Sequence, residues 1–337
     1  MNAPAALRQA KDYATDQEVR WCPGCGDYAI LKAVLKTLAD LQADPARTVF
    51  VSGIGCAARF PYYVETYGFH TIHGRAPAFA TGIKLANPEL DVWVVGGDGD
   101  LLSIGGNHLI HALRRNVPIK LLTFNNQIYG LTKGQYSPTS ETGKVTKSTP
   151  FGSEDHPFNP LALALGADAS FVARTIDVEK AHVRETLKAA AEHPGAAFVE
   201  IYQNCNVFND GAFDAVRGKG GAHNQIRLEH GQPIRFGAEN ERGVVRSAGG
   251  GLEVVEVADV GEDALVVHDA HVADPSHATA LARLADSPTG PTPIGVFRDV
   301  KRDVYGSGRQ PALQAAHEGA TLEDVDELLR SGDTWVV

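Results

Sequence analysis

Cys22, Cys25, Cys56 and Cys205 are the only cysteines among 337 residues, and the first pair stands on a Cys-Pro-Gly-Cys-Gly turn. A Cys-x-x-Cys pair on so tight a turn aims two thiolates at one point. Thioredoxin-like redox pairs follow a strand, and no strand-like run precedes Cys22. Cys56 closes Ser52-Gly-Ile-Gly-Cys56 after one β-branched run, and Cys205 follows another at 197–202. Three segments are therefore expected to converge above one sheet edge. Four thiolates suit zinc as well as iron. The scattered positions of Cys56 and Cys205 favour a cluster that doubles as part of an active site. Oxygen donors form a second set, with Gly97-Asp98-Gly99-Asp100 ending one apolar run and Asn125-Asn126 ending the next. Glycines let backbone N–H groups approach an anion, and a carboxylate among them holds a hard cation that bridges to phosphate. Asp98, Asn126 and one backbone carbonyl are enough for Mg²⁺. A Rossmann dinucleotide site fails for want of a Gly-x-Gly-x-x-Gly after the first strand.

Placing these groups requires a regular scaffold. Residues 47–54, 91–97, 118–125, 170–174 and 197–202 read as short buried strands. Between them, helical spacing is seen after Asp27, a candidate N-cap, and at 108–115 and 178–193. Strands alternating with helices predict an α/β fold, a mostly parallel central sheet with helices on both faces. Residues 1–20 form a polar lead-in and 21–210 the binding core. Residues 211–337 form a C-terminal segment, read as a small appendage with a hairpin at 253–260 and 264–267 and helices at 277–285 and 322–329. Residues 133–160 are rich in Gly, Pro, Ser and Thr without a period, a length at which a loop is usually functional.

Composition narrows the class. Lys+Arg total 31 against Asp+Glu 41, a net charge of -10, which excludes the basic stripe of a nucleic-acid binder and a polybasic membrane surface. No apolar run spans a bilayer, and the first twenty residues are too charged for an export signal. Few cysteines and no export signal predict a reducing, cytoplasmic setting.

The interval from Gly97 to Asn126 resembles the thiamine-diphosphate binding motif, which opens on Gly-Asp-Gly and closes on Asn-Asn. With Trp21-Cys-Pro-Gly-Cys-Gly26, Gly53-Ile-Gly-Cys-Ala-Ala-Arg-Phe60, His73-Gly-Arg-Ala76 and Asn125-Asn-Gln-Ile-Tyr-Gly130, the chain resembles the β subunits of 2-oxoacid:ferredoxin oxidoreductases, most closely their 2-oxoglutarate branch. The resemblance covers roughly residues 15–305. It implies the thiamine-diphosphate-binding fold. It also implies thiamine diphosphate, Mg²⁺ on Asp98, Asn126 and the Ile128 carbonyl, and one [4Fe–4S] cluster on Cys22, Cys25, Cys56 and Cys205. Cofactor contacts are implied at Gly55, Cys56, Ala57, His73, Gly97, Gly99, Asp100, Tyr129, Gly130, Leu131 and Thr132. Its reaction is decarboxylation of a 2-oxoacid with CoA to an acyl-CoA, electrons passing to ferredoxin, and an α subunit supplies the other half of the thiamine site. Arg59 suits a distal substrate carboxylate, and His73 is the other candidate at the reacting centre. Pyruvate, branched-chain or aryl 2-oxoacids are the alternative substrates; a zinc-stabilised binding module is the alternative of another class.

Overall fold

The computed structural model describes residues 7–284, 290–309, 312, 315, 318 and 322–332. The β-branched runs become strands that pair as follows. β1 (Thr48–Ser52), β2 (Tyr67–His70), β3 (Asp91–Gly97), β4 (Lys120–Asn125), β7 (Phe171–Ile176), β8 (Ala197–Tyr202), β9 (Gln225–Leu228) and β13 (Thr292–Asp299) form one sheet in the order β2-β1-β3-β4-β8-β7-β13-β9. Every pair is parallel except β7–β13. β5 (Ile128–Tyr129) and β6 (Gln135–Tyr136) make a two-stranded ribbon beside it. β10 (Arg235–Phe236), β11 (Arg242–Arg246) and β12 (Leu252–Glu256) form a separate antiparallel sheet.

Strand period divides the apolar residues between two cores. Trp93 and Val95 of β3 join Phe50, Leu122 and Val199 on one face, under helices α1 (Asp27–Asp40) and α5 (Lys180–Glu192). Val92 and Val94 join Val51, Leu121 and Phe198 on the other, under α2 (Ala76–Ala86), α3 (Gly106–Arg114) and α4 (Pro160–Gly166). Burial on both faces explains why the strands read as continuous apolar runs. The parallel strands also leave the carboxyl ends of β1, β3, β4 and β8 on one edge, where ligands dock in such sheets.

The structure corrects two expectations. The C-terminal segment is more than an appendage, because β9 and β13 complete the main sheet and only β10–β12 stand apart. The hairpin lies one step earlier, between β11 and β12, where Gly250 at φ +84° turns the chain. Residues Val257–Val260 are a helical turn, and Val267 bridges Pro233. The expected helices are found at Ser276–Arg283 and Leu322–Arg330; Ala285 lies outside the described residues.

Candidate active site

The loops after β1, β3 and β4 enclose one cleft of about 720 Å³ at the sheet's carboxyl edge. Its walls include Gly55, Cys56, Ala57, His73, Gly97, Asp98, Gly99, Asp100, Asn126, Ile128 and the run Tyr129 to Thr132. Residues far apart in sequence thus share one wall, because each follows a parallel strand or packs on a loop that does.

Asp98 sits on the floor, 2% exposed. Its Oδ2 accepts from Ser137 Oγ at 2.5 Å and Thr139 Oγ1 at 2.6 Å. Burial pushes its carboxyl up to about 6, against the hydroxyls and the backbone at Gly99 and Asn126, which pull it down. A buried carboxylate held by hydroxyls and backbone at the floor of an open cleft suits a divalent ion. Asn126 Oδ1 accepts from Ile128 N–H at 3.2 Å across Gln127, whose φ is +55°. This Asx turn holds two of the expected oxygen donors side by side. Tyr129 packs on Gly99: its hydroxyl donates to the Gly99 carbonyl at 3.0 Å, and a Cβ on Gly99 would lie 2.2 Å from the ring.

Asp100 is a clasp. Its Oδ1 accepts from Gly74 N–H (2.7 Å), Ile54 N–H (3.1 Å) and His73 Nδ1–H (2.7 Å). Burial is the main influence raising its carboxyl. With Nδ1–H committed, His73 keeps Nε2 as its acceptor. Gly74, at φ +73°, crosses so close to Gly105 that a Cβ would meet backbone at 2.5 Å.

The cysteine segments are tied to one another. Gly26 N–H donates to the Asn204 carbonyl (3.2 Å), Asn206 Nδ2 to the Pro23 carbonyl (2.7 Å) and Trp21 Nε1 to the Cys56 carbonyl (2.7 Å). A Cβ placed on Gly130 would lie 3.5 Å from Cys56 Sγ and 3.7 Å from Cys205 Sγ, so both sulfurs border the cleft wall. Gln203 Nε2 donates to Cys25 Sγ at 3.1 Å, and Cys22 is exposed. Burial, then the carboxylate of Asp27, pushes the Cys56 thiol up to about 11; burial raises Cys25 as well. Among the described residues, no three His, Cys, Asp or Glu side chains converge to hold a single metal ion. Asp27 is not the N-cap of α1. Gly26 takes that place, and the Asp27 carboxylate is buried with the Cys25 thiol beside it.

Arg59 is not on the cleft wall. Its backbone N–H closes a turn on the Cys56 carbonyl (3.2 Å), and its guanidinium donates to the Arg20 carbonyl (2.9 Å). Sequence reasoning overlooked Ser137 and Thr139, as well as Asn209. Asn209 donates to the Asn126 carbonyl (2.9 Å), accepts from Lys144 Nζ (2.6 Å) and bridges Cys205. The signal available was the Ser/Thr density of residues 133–160.

Residues 53–201 match the family described as thiamine pyrophosphate enzyme, C-terminal TPP binding domain. Fold and cleft therefore define a thiamine-diphosphate enzyme. The chain is 57% identical over 332 residues to 2-oxoglutarate oxidoreductase subunit KorB of Mycobacterium tuberculosis, covering 98% of this chain and 89% of that one. It is 50% identical over 205 residues to 2-oxoacid:ferredoxin oxidoreductase 1, subunit beta, of Aeropyrum pernix, 61% of this chain and 64% of that one. It superposes with TM-score 0.76 and 31% identity, over 97% of each chain, on the 2-oxoglutarate:ferredoxin oxidoreductase from Magnetococcus marinus with 2-oxoglutarate, coenzyme A and succinyl-CoA bound. The chain belongs to the family of 2-oxoacid:ferredoxin oxidoreductase β subunits.

Proposed function

We propose that this chain is the β subunit of an oxidoreductase that converts 2-oxoglutarate and CoA to succinyl-CoA and CO₂ with ferredoxin as electron acceptor, or runs the reverse carboxylation. The observation that carries it is the single cleft in which the Gly-Asp-Gly loop, the Asn-Asn loop and Cys56 meet. Names of the relatives favour 2-oxoglutarate over pyruvate, branched-chain or aryl acids, and an enzyme over a zinc-stabilised module.

The donor chemistry fits both inorganic groups. Asp98, Asn126 and the Ile128 carbonyl would hold Mg²⁺, an oxygen set of the kind that ion takes alongside phosphate. Cys22, Cys25, Cys56 and Cys205 would hold the [4Fe–4S] cluster, a four-thiolate set. When bound, thiamine diphosphate supplies the nucleophilic carbon and electron sink, and the cluster accepts electrons singly. The chain's own residues orient and shield. Gly97 and Gly99 would let backbone approach the diphosphate, Tyr129 to Thr132 would flank it, and Asp100 fixes His73 at the cleft. Residues 21–210 would form the binding core, whose sheet β9 and β13 complete.

Ile54, Ile72, Ile104 and Leu131 are exposed at or beside the cleft. We assign that rim to the α subunit. An Arg59 role at the distal carboxylate requires its guanidinium to leave the Arg20 carbonyl on substrate binding. The test is anaerobic co-purification with the α subunit, iron and acid-labile sulfide analysis, and assays on several 2-oxoacids with CoA. Iron and sulfide in equal amounts, both lost in Cys56→Ser, are expected; zinc without sulfide would overturn the cluster assignment. Undiminished 2-oxoglutarate activity in Arg59→Leu would remove Arg59 from substrate recognition.

A further inference from the structure

The loop at 133–160 has no role in the motifs that identify the site, yet it enters the floor of the cleft. Ser137, Thr139 and Ser140 point three hydroxyls at three residues of the neighbouring strand ends, and each proton has one best destination. Ser140 Oγ accepts from Ser137 N–H (2.8 Å) and donates to the Gln127 carbonyl (2.6 Å). Ser137 Oγ stands 3.3 and 3.4 Å from the hydroxyls of Thr139 and Ser140 but 2.5 Å from Asp98 Oδ2, so its proton goes to the carboxylate. Thr139 Oγ1 lies between two acceptors, Asp98 Oδ2 at 2.6 Å and Asn125 Oδ1 at 2.9 Å. The carboxylate is the nearer and stronger acceptor, and Asn125 Oδ1 is served by Gln127 N–H at 3.1 Å.

We propose that Thr139 and Ser137 are positioning residues, a hydroxyl clamp that fixes the Asp98 carboxylate by Oδ2 and so sets how it is turned toward the cation. All four groups are buried: Asp98 is 2%, Ser137 2%, Thr139 3% and Asn125 2% exposed. Both hydroxyls bond Oδ2, and the backbone at Gly99 and Asn126 also steadies the carboxylate. The clamp is itself anchored in the sheet. Asn125 Nδ2 donates to Glu200 Oε1 (2.7 Å), and Glu200 Oε2 takes Arg174 Nε (2.6 Å) in a fully buried ion pair. A cation that relies on a single carboxylate and demands near-octahedral geometry is sensitive to how that carboxylate is turned. Loss of such outer hydrogen bonds typically costs ~10–100-fold in metal affinity.

This inference rests on the proposed metal role of Asp98, and the experiment separates the two. Mn²⁺ binding is followed by EPR, with thiamine diphosphate present, on the complex co-purified with its partner subunit. Thr139→Val keeps the volume and removes the proton; it is expected to weaken Mn²⁺ binding about 10-fold or more. Thr139→Ser restores it, Ser137→Ala falls between, and Thr139→Val adds nothing in an Asp98→Asn background. Wild-type affinity in Thr139→Val, failure of Thr139→Ser to restore it, or full additivity with Asp98→Asn would overturn the clamp while leaving the metal site standing. Absence of thiamine-dependent Mn²⁺ binding in the wild type would overturn the metal role, and the clamp with it.

Discussion

At the scale of single residues, the site depends on side chains whose burial only makes sense in the presence of something else. Asp98 is the plainest case, a carboxylate lifted to about 6 by burial and held by two hydroxyls. Asp98→Asn keeps the shape and removes the charge. The variant complex is expected to purify with thiamine diphosphate below stoichiometry and with metal affinity lower by at least ~100-fold, the upper end of what outer-shell losses cost. Thiochrome fluorescence of released cofactor and a Mn²⁺ titration check this; full retention of both would remove Asp98 from the metal site. Asp98, Asn126 and Cys56, which the structure brings to one cleft, were legible as neighbours in the sequence because strand ends precede them and glycines stand beside Asp98 and Cys56. Thr139 and Asn209 were not. A hydroxyl or amide in an irregular loop has no period, and its partners lie 41 and 83 residues away in sequence.

Among the elements, legibility followed burial. β3 and β8 were readable to the residue, because strands covered on both faces are continuous apolar runs. β2 was missed: Tyr67 to His70 are all exposed at the sheet edge, so nothing in them alternates or clusters. β13 lay inside a stretch matched by resemblance alone, and its place between β7 and β9 is a matter of tertiary pairing. That strand is also a pH-sensitive seam. His268 is 1% exposed; its Nε2–H donates to the Val296 carbonyl of β13 at 2.8 Å, and its Nδ1 lies 3.3 Å from His277 Nε2. Burial, ahead of the neighbouring histidines, holds its imidazole down at about 4. The folded state therefore binds fewer protons than the unfolded one across the window from 6.5 to 4. Stability from this group is complete above 6.5 and is lost as pH falls, by about 2 kcal/mol at pH 5. Urea midpoints at pH 7.5 and pH 5 should separate in the wild type and draw together in His268→Gln; an unchanged separation would assign the effect elsewhere.

For the molecule as a whole, the carboxyl edge of the sheet is finished on one side only. The chain brings the Gly-Asp-Gly loop, Asn126 and Cys56 to one cleft, yet leaves that cleft open, with exposed apolar side chains at or beside it. Ile72 is 72% exposed and Ile104 53%, and a Cβ on Gly74 would touch Ile104 at 2.6 Å, so the two isoleucines flank the turn that Asp100 clasps. Ile54, 44% exposed, and Leu131, 38% exposed, carry the same apolar surface onto the cleft wall. Such a contiguous patch beside a functional opening is the signature of a protein contact, and apolar anchors at its centre carry most of the binding energy. On the proposed assignment of this rim to the α subunit, Ile104→Arg places a charge inside the contact. Its affinity for that subunit should fall by ~10-fold or more. The chain's own melting temperature should stay within about 1–2 °C of the wild type, because an exposed side chain contributes little to folding. Biolayer interferometry with the immobilised α subunit reads the first quantity and calorimetry the second. Equal affinity in Ile104→Arg and Ile72→Arg would mean that the partner closes the cleft from another side, and the loop carrying Phe151, fully exposed, would then be the face to test.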